Sequence, residues 1–248
     1  MGLLLLFFLV TNFFMSAANF LFEPILLSFA DVTTLGVVLA AQSLGMIVAG
    51  LVVSIWGGCE SRAKGTVGFV ILGGISAVLF GLRPSALLTT VAMFICGLSV
   101  ALVNTHYQIL IQTKVGMELQ GRVFAINIML ATLFSPIAIY FAGALSESYF
   151  KPLMGEDQPA NQFLQVIVGS GAGRGMALLC VILGVLQILW GIIGMRWKSL
   201  VNMDTILPNA VPGAVISDDK DKLQEAMDNS LNATQKHREE RLLGEKSA

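Results

Sequence analysis

The segment Gln112–Asn127, QTKVGMELQGRVFAIN, is a short polar connector between two long apolar runs. The flanking runs Ser85–Ile111 and Val123–Leu145 are each long enough to cross a bilayer, because a hydrocarbon core of about 30 Å needs about 20 helical residues. The connector is too polar for the hydrocarbon layer, where an unpaired polar group costs several kcal/mol. It is therefore predicted to be a loop at a membrane face.

The composition excludes an ordinary soluble domain. Of the 248 residues 55% are hydrophobic and 12% are charged, and the mean hydropathy is +0.77, whereas a soluble domain carries about 25% charged residues. We expect an integral membrane protein whose partners are the lipid bilayer and a small molecule, with no nucleic acid. The cysteines Cys59, Cys96 and Cys180 have no metal-ligand or disulfide spacing, so no metal site and no cofactor is expected.

Continuous apolar runs predict an all-α membrane protein with six spanning helices in residues 1–198. The runs are too long and too continuous for barrel strands. The first run lacks the basic start and the cleavage site of a signal peptide, so we interpret it as the first span. The predicted spans are Gly2–Phe29, Val32–Trp56, Thr66–Leu82, Ser85–Ile111, Val123–Leu145 and Gly175–Met195.

Basic residues near the ends of the spans predict the orientation. With six spans the two termini share a side, and that side carries the larger set: Arg62, Lys64, Lys114, Arg122, Arg196 and Lys198, against Arg83, Lys151 and Arg174. By the positive-inside rule we expect a multi-pass protein of the inner (plasma) membrane with cytoplasmic termini. Residues 199–248 are polar and predict a partly disordered cytoplasmic tail, with one short amphipathic helix around Leu223, Met227 and Leu231.

Polar residues are concentrated in four of the six spans. Asn12, Ser16, Asn19 and Glu23 follow helical spacing and share one face of the first span. The second, fourth and fifth spans contribute Gln42, Asn104, Gln108 and Asn127. A shared aqueous cavity explains this pattern, and so do hydrogen bonds that join the helices. The third and sixth spans, with few polar residues, are expected to be peripheral.

Glu23 is the only acidic residue well within an apolar run, and Pro24 follows it. Such a residue can bind a proton or a cationic substrate, or it can reach headgroup water from the outer end of its span. Ser99 and His106 suggest an intramembrane serine protease, but seven residues on one helix separate them by about 10 Å. That distance is too long for a nucleophile and its base, so no enzymatic activity is expected.

The connector ELQGRVFAIN after a polar-studded fourth span resembles the corresponding loop in the carboxy-terminal half of major facilitator superfamily transporters, nearest to the drug- and macrolide-efflux-like branch. Gly121 and Arg122 belong to this connector. The segment 56–65 occupies the place of the family's loop repeat, where Gly57, Glu60 and Arg62 match loosely because Ser61 intervenes. The resemblance covers residues 1–200.

The resemblance implies that the six spans correspond to helices seven to twelve of a twelve-helix transporter, with the substrate site between two halves. It implies secondary efflux of small amphipathic organic molecules by alternating access. The chain is then a fragment, or it pairs with a separate amino-terminal half or a second copy. The competing hypothesis is a non-transporting scaffold or regulatory subunit that presents the tail 199–248 to a cytosolic partner.

Overall fold

The computed structural model describes residues 2–59, 61–153, 168–169 and 173–201, and these residues are helical apart from short turns, with no strand among them. Six of the described helices are long and apolar enough to cross a membrane, which confirms the predicted helical bundle. They are α1 (Gly2–Leu27), α2 (Val32–Trp56), α3 (Arg62–Leu82), α4 (Ala86–Lys114), α5 (Met117–Leu145) and α6 (Arg174–Arg196). A π-helical turn, Ser146–Phe150, and one α-helical turn, Lys151–Leu153, extend α5, and a short helix, Lys198–Val201, follows α6. The predicted tail beyond residue 201 lies outside the described residues.

The polar connector between α4 and α5 is shorter than predicted. Helix α4 continues to Lys114 and α5 already begins at Met117, so most of the segment expected to be a loop is helical. A helix satisfies its own backbone hydrogen bonds and can extend past the apolar run into polar surroundings, so hydropathy underestimates its length. Gln120 stabilises the tight turn, because its Nε2 donates to the carbonyl oxygens of Gln112 and Val115 at 3.0 and 2.9 Å.

Side-chain and glycine caps define the two ends of α2. Asp31 is the N-cap, and its carboxylate accepts the Thr34 backbone N–H at 3.0 Å and the Thr34 hydroxyl at 2.6 Å. These two hydrogen bonds lower the pKa of Asp31 below its ordinary value of 3.8, because they stabilise the ionised carboxylate. At the other end Gly57 has a φ of 75°, the left-handed conformation that terminates a helix and that glycine adopts without strain.

Helix α3 is the most enclosed of the six spans, and it packs against α4 and α6. Small residues make this possible: a Cβ at Gly74 would lie 2.8 Å from the carbonyl oxygen of Gly184, and one at Gly184 would lie 2.7 Å from that of Gly74. The expectation that the third span is peripheral is therefore wrong. Few polar residues here reflect close packing between helices rather than a position outside the bundle.

The packing pattern repeats when the first three helices are exchanged for the last three. The main neighbours are α3–α6, α2–α4, α3–α4, α1–α5 and α1–α6. The exchange pairs α1 with α4, α2 with α5 and α3 with α6. It converts the contact α2–α4 into α5–α1 and the contact α3–α4 into α6–α1, and it leaves α3–α6 unchanged. Since successive spans alternate in direction, α1 and α4 run oppositely, so this order of neighbours is the one expected of two inverted triplets.

The bundle has two ends, which we name after residues in their connections. The Asp31 end contains the α1–α2 and α3–α4 connections, and the Gly57 end contains the α2–α3 and α4–α5 connections. One cluster of buried apolar side chains includes Phe22, Phe80 and Leu178 and lies toward the Asp31 end. A second includes Phe7 and Tyr107 and lies toward the Gly57 end.

Candidate functional site

A cavity of about 160 Å³ opens between α1 and α2 in the half of the bundle near the Asp31 end. Helices α3 and α4 form its back wall. Its lining residues are Asn19, Phe22, Glu23, Leu26, Leu35, Val38, Leu39, Gln42, Phe80 and Met93. Three of the polar residues singled out in the sequence, Asn19, Glu23 and Gln42, therefore come together here.

The two amide side chains of the cavity use their nitrogen atoms within the protein. Asn19 donates from Nδ2 to the backbone carbonyl of Met15 at 2.8 Å, and Gln42 points its Nε2 toward the Cys96 sulfur at 3.9 Å. The carbonyl oxygens of the two amides therefore stay available as hydrogen-bond acceptors. The Glu23 carboxylate adds two more acceptor oxygens, so the polar part of the cavity is rich in acceptors.

Glu23 lies one helical turn before Leu27, the last residue of α1, and its side chain is exposed on the bundle. In the described part of the chain the ion pair that forms is Lys151 with Glu147, and Glu23 has no such partner. The carboxylate thus has access from the Asp31 end and is not neutralised by a neighbouring basic side chain. This geometry suits either of the two roles expected for Glu23, cation binding or contact with headgroup water.

Aromatic and aliphatic groups form the rest of the wall. The rings of Phe22 and Phe80 are 4.5 Å apart with an interplanar angle of 44°, and both side chains are buried. Met93 from α4 is also buried. Sequence reasoning missed these wall residues, because a Phe or Met in an apolar span has no signal that distinguishes a cavity wall from ordinary packing.

The remaining predicted path residues lie outside this cavity. Asn12, Ser16 and Asn127 are half-buried, whereas Asn104 and Gln108 are exposed. The rings of Phe8 and Tyr107 stack at 3.8 Å and so fix α1 and α4 at the same depth there. Because these helices run oppositely, Asn12 and Asn104, each about one turn from the stacked pair, occupy a similar depth. That level is about 16 Å from Glu23, since each helical residue rises about 1.5 Å.

Hydrogen bonds between the predicted amides do not join the helices. Asn12 and Asn104 donate to the backbone carbonyls of Phe8 and Val100, one turn earlier in their own helices, at 2.8 and 2.9 Å, as Asn19 does. These three amides therefore make no interhelical hydrogen bond among the described contacts, and their oxygen atoms stay available as acceptors.

Besides the contact of Gln42 in α2 with Cys96 in α4, two residues outside the predicted set make polar contacts between helices. Ser99 of α4 donates to the Phe69 carbonyl at 2.7 Å, and Gln187 of α6 donates to the Val70 carbonyl at 3.2 Å. Both donors are buried. They join three helices by binding consecutive carbonyl groups of α3, and the sequence contained no signal of this because the partners are backbone atoms of another span.

The α2–α3 connection is fastened to α4 by a buried histidine. The Cys59 backbone N–H donates to His106 Nε2 at 3.2 Å, and His106 Nδ1 donates to the Leu102 carbonyl at 2.9 Å. Arg62 Nη1 donates to the Gly57 carbonyl at 2.8 Å. Two of the predicted loop-motif residues, Gly57 and Arg62, are thus in direct contact.

The other loop-motif residues are less informative. Gly121 and Arg122 are exposed in the first turns of α5, and Glu60 lies outside the described residues. A comparison of the chain with known protein families, characterised proteins and solved structures finds no match.

Proposed function

We propose that this chain is one half of a secondary transporter of the major facilitator type, which exports small amphipathic organic molecules by alternating access. The observation that carries the proposal is the order of helix neighbours, which is the one expected of an inverted repeat of α1–α3 and α4–α6. Inverted triplets of this kind make up each six-helix half of such transporters, and the substrate site lies between two halves. The repeated packing supports the resemblance seen in the loop sequences.

The distribution of polar residues along the bundle supports a path for a solute. Asn19, Glu23 and Gln42 line the cavity near the Asp31 end, and Asn12 and Asn104 follow about 16 Å further along the helices. Such residues in membrane helices face a water-filled route or a bundle interior. In this proposal the exposed amides Asn104 and Gln108 face the second half, which is a separate chain or a second copy.

The proposed membrane is the inner (plasma) membrane, with the Gly57 end in the cytoplasm. The helix ends there contain Arg62, Lys64, Lys114, Arg122 and Arg196, which is the larger set of basic residues in the positive-inside comparison. The cavity of Glu23 then opens toward the outer surface.

The second half can be detected by photo-cross-linking in the cells that produce the protein. A photoreactive amino acid at Asn104 is expected to form a cross-link to another six-helix unit, identified by mass spectrometry. The matched control is Leu189 of α6, which is 49% exposed and apolar and is expected to face lipid. Equal protein cross-linking from the two positions, or lipid adducts alone from Asn104, contradicts the proposed pairing.

Transport itself is measured with Nile red, a neutral amphipathic dye, in the same cells after deletion of their other dye exporters. Cells with the protein should retain less dye, and a protonophore should remove the difference if export depends on the proton gradient. Asn104→Leu should reduce the export, and Leu189→Ala should not. Identical dye retention with and without the protein contradicts export of this class of molecule.

A further inference from the structure

We propose that the cavity between α1 and α2 binds the ammonium group of a small amphipathic amine, with Glu23 as its counter-ion. The inference rests on the proposed transport function only for the biological role of the site, because amine binding is measured on the chain itself. It assigns a substrate class to a cavity that lies within one six-helix unit rather than between two halves.

The charge of Glu23 is the first argument. Spans α1 and α2 contain no basic residue, and Glu23 is their only charged side chain. Its carboxylate is exposed on the bundle and accessible from the Asp31 end, and a carboxylate attracts a cation that enters the cavity. Of the basic residues at this end, Arg174 donates to the Val168 carbonyl and stacks over Phe29, and the described residues show no ion pair to Glu23. Glu23 is therefore open to a cation from outside the chain.

The hydrogen-bonding pattern is the second argument. An ammonium group has three N–H donors and no acceptor. Asn19 and Gln42 direct their nitrogens to Met15 and Cys96, which leaves amide oxygens and the Glu23 carboxylate as acceptors for those donors. Each amide also keeps a second N–H, so it is the Glu23 carboxylate that favours a cation over an anion in this cavity.

The walls are the third argument. Phe22, Phe80, Leu26, Val38 and Met93 provide an apolar lining beside the polar groups. A volume of about 160 Å³ suits a compact amine with a short apolar part. An inorganic cation gains nothing from the apolar lining, whereas an amphipathic amine buries its hydrocarbon there.

The test uses the full chain purified in phosphatidylglycerol nanodiscs and titrated calorimetrically with phenethylammonium, with empty nanodiscs as the reference for partitioning. We expect saturable binding by the protein. The neutral analogue 2-phenylethanol, which has the same ring and chain, should bind at least tenfold more weakly. Glu23→Gln, which keeps the shape and removes the charge, should weaken phenethylammonium binding at least tenfold.

Glu118→Gln is the matched control, because Glu118 is an exposed acid in the first turn of α5 at the other end of the bundle. It should bind phenethylammonium like the wild type. Gln42→Leu, a second variant in the cavity, should also weaken binding, and thermal unfolding of each variant verifies that it is folded. Equal affinity of the wild type and folded Glu23→Gln, or equal binding of the amine and the alcohol, overturns the proposal.

A lipid headgroup can supply the same ammonium chemistry. Nanodiscs that also contain phosphatidylethanolamine distinguish the sources: competition with phenethylammonium identifies the site as an ammonium site occupied by lipid, and no competition identifies a site for the free amine. Binding of phenethylammonium without Nile red export would leave the amine site intact and contradict export of neutral amphipathic molecules. Nile red export without Glu23-dependent binding of phenethylammonium would support the transporter and overturn the amine site.

Discussion

Gly97 of α4 lies directly against the backbone of Gln42 in α2: a Cβ at residue 97 would collide with the Gln42 carbonyl oxygen and would lie 3.2 Å from its Cα. Gly45 makes the reciprocal approach from α2 to the backbone at Phe94 and Leu98. The two glycines therefore set the closest approach of α2 and α4. They also fix the backbone from which the Gln42 side chain reaches the cavity.

Gly97→Ala is expected to destabilise the bundle by about 1–3 kcal/mol, the usual cost of overpacking. The added methyl group meets backbone atoms, which cannot move aside as a flexible side chain can. Because Gln42 must move with its helix, the affinity for phenethylammonium should fall as well. Thermal or denaturant unfolding in detergent and calorimetric titration measure the two effects.

Gly50→Ala is the control in the same pair of helices, since a Cβ at Gly50 meets nothing within 4 Å. Alanine favours a helix more than glycine does, by up to about 1 kcal/mol, so this variant should be neutral or slightly stabilising. A Gly97→Ala protein as stable as Gly50→Ala would show that α2 and α4 do not pack this closely.

His106→Leu is expected to loosen the α2–α3 connection. The part-buried Cys59 N–H loses its acceptor, and a hydrogen bond of this kind contributes about 0.5–1.5 kcal/mol. The half-buried Cys59 thiol should then react faster with a maleimide, while Cys96 and Cys180, which are buried deep in the spans, should react as slowly as before. Mass spectrometry of the labelled peptides measures the three rates.

Thr105→Val is the control for this change, because the Thr105 hydroxyl donates to the Ala101 carbonyl of its own helix. It should leave Cys59 labelling unchanged. Equal Cys59 reactivity in His106→Leu and the wild type would mean that the histidine does not hold the connection.

Glu23 and Gln42 show how much of the candidate site could be predicted from the sequence. Periodicity placed Asn19 and Glu23 on one face of α1, because helical spacing is encoded locally. That Gln42 joins them depends on how α1, α2 and α4 pack, and the glycines that decide this resemble any other small residues in a span. The six spans followed from hydropathy alone, whereas the central position of α3 did not.

Ser99→Ala should destabilise the bundle by about 0.6 kcal/mol, the average for a hydrogen bond between membrane helices. The loss is small because the Phe69 carbonyl keeps its own helical hydrogen bond. Gly73→Ala should cost more, since its Cβ would lie 2.8 Å from Ser99 Oγ and 2.9 Å from Gln187 Nε2 and would disturb both interhelical bonds. The free energies of unfolding of Ser99→Ala, Gln187→Leu and the double variant measure how far the two interhelical hydrogen bonds depend on each other.

Gly68→Ala provides the comparison within α3, because its Cβ would meet only the flexible end of Met195 at 3.6 Å. It should be nearly neutral. If Gly73→Ala were as stable as Gly68→Ala, the two hydrogen bonds to consecutive α3 carbonyls would not constrain the packing.

The Asp31 cap predicts an acid dependence of stability at the Asp31 end. Its folded-state pKa is below 3.8, so its contribution is fully present above that value and is lost as the pH falls through the folded pKa. Asp31→Asn keeps a capping oxygen but does not titrate, so the stability of the wild type should fall more steeply below pH 3.8 than that of the variant. Unfolding measured from about pH 6 to about pH 2.5 tests whether the free energy of unfolding falls in this direction. Thr34→Ala removes the hydroxyl donor and keeps the backbone donor, so it should shift the acid transition toward the ordinary pKa of Asp31. Parallel pH profiles of the wild type and the two variants would show that the Asp31–Thr34 hydrogen bonds do not favour the ionised cap.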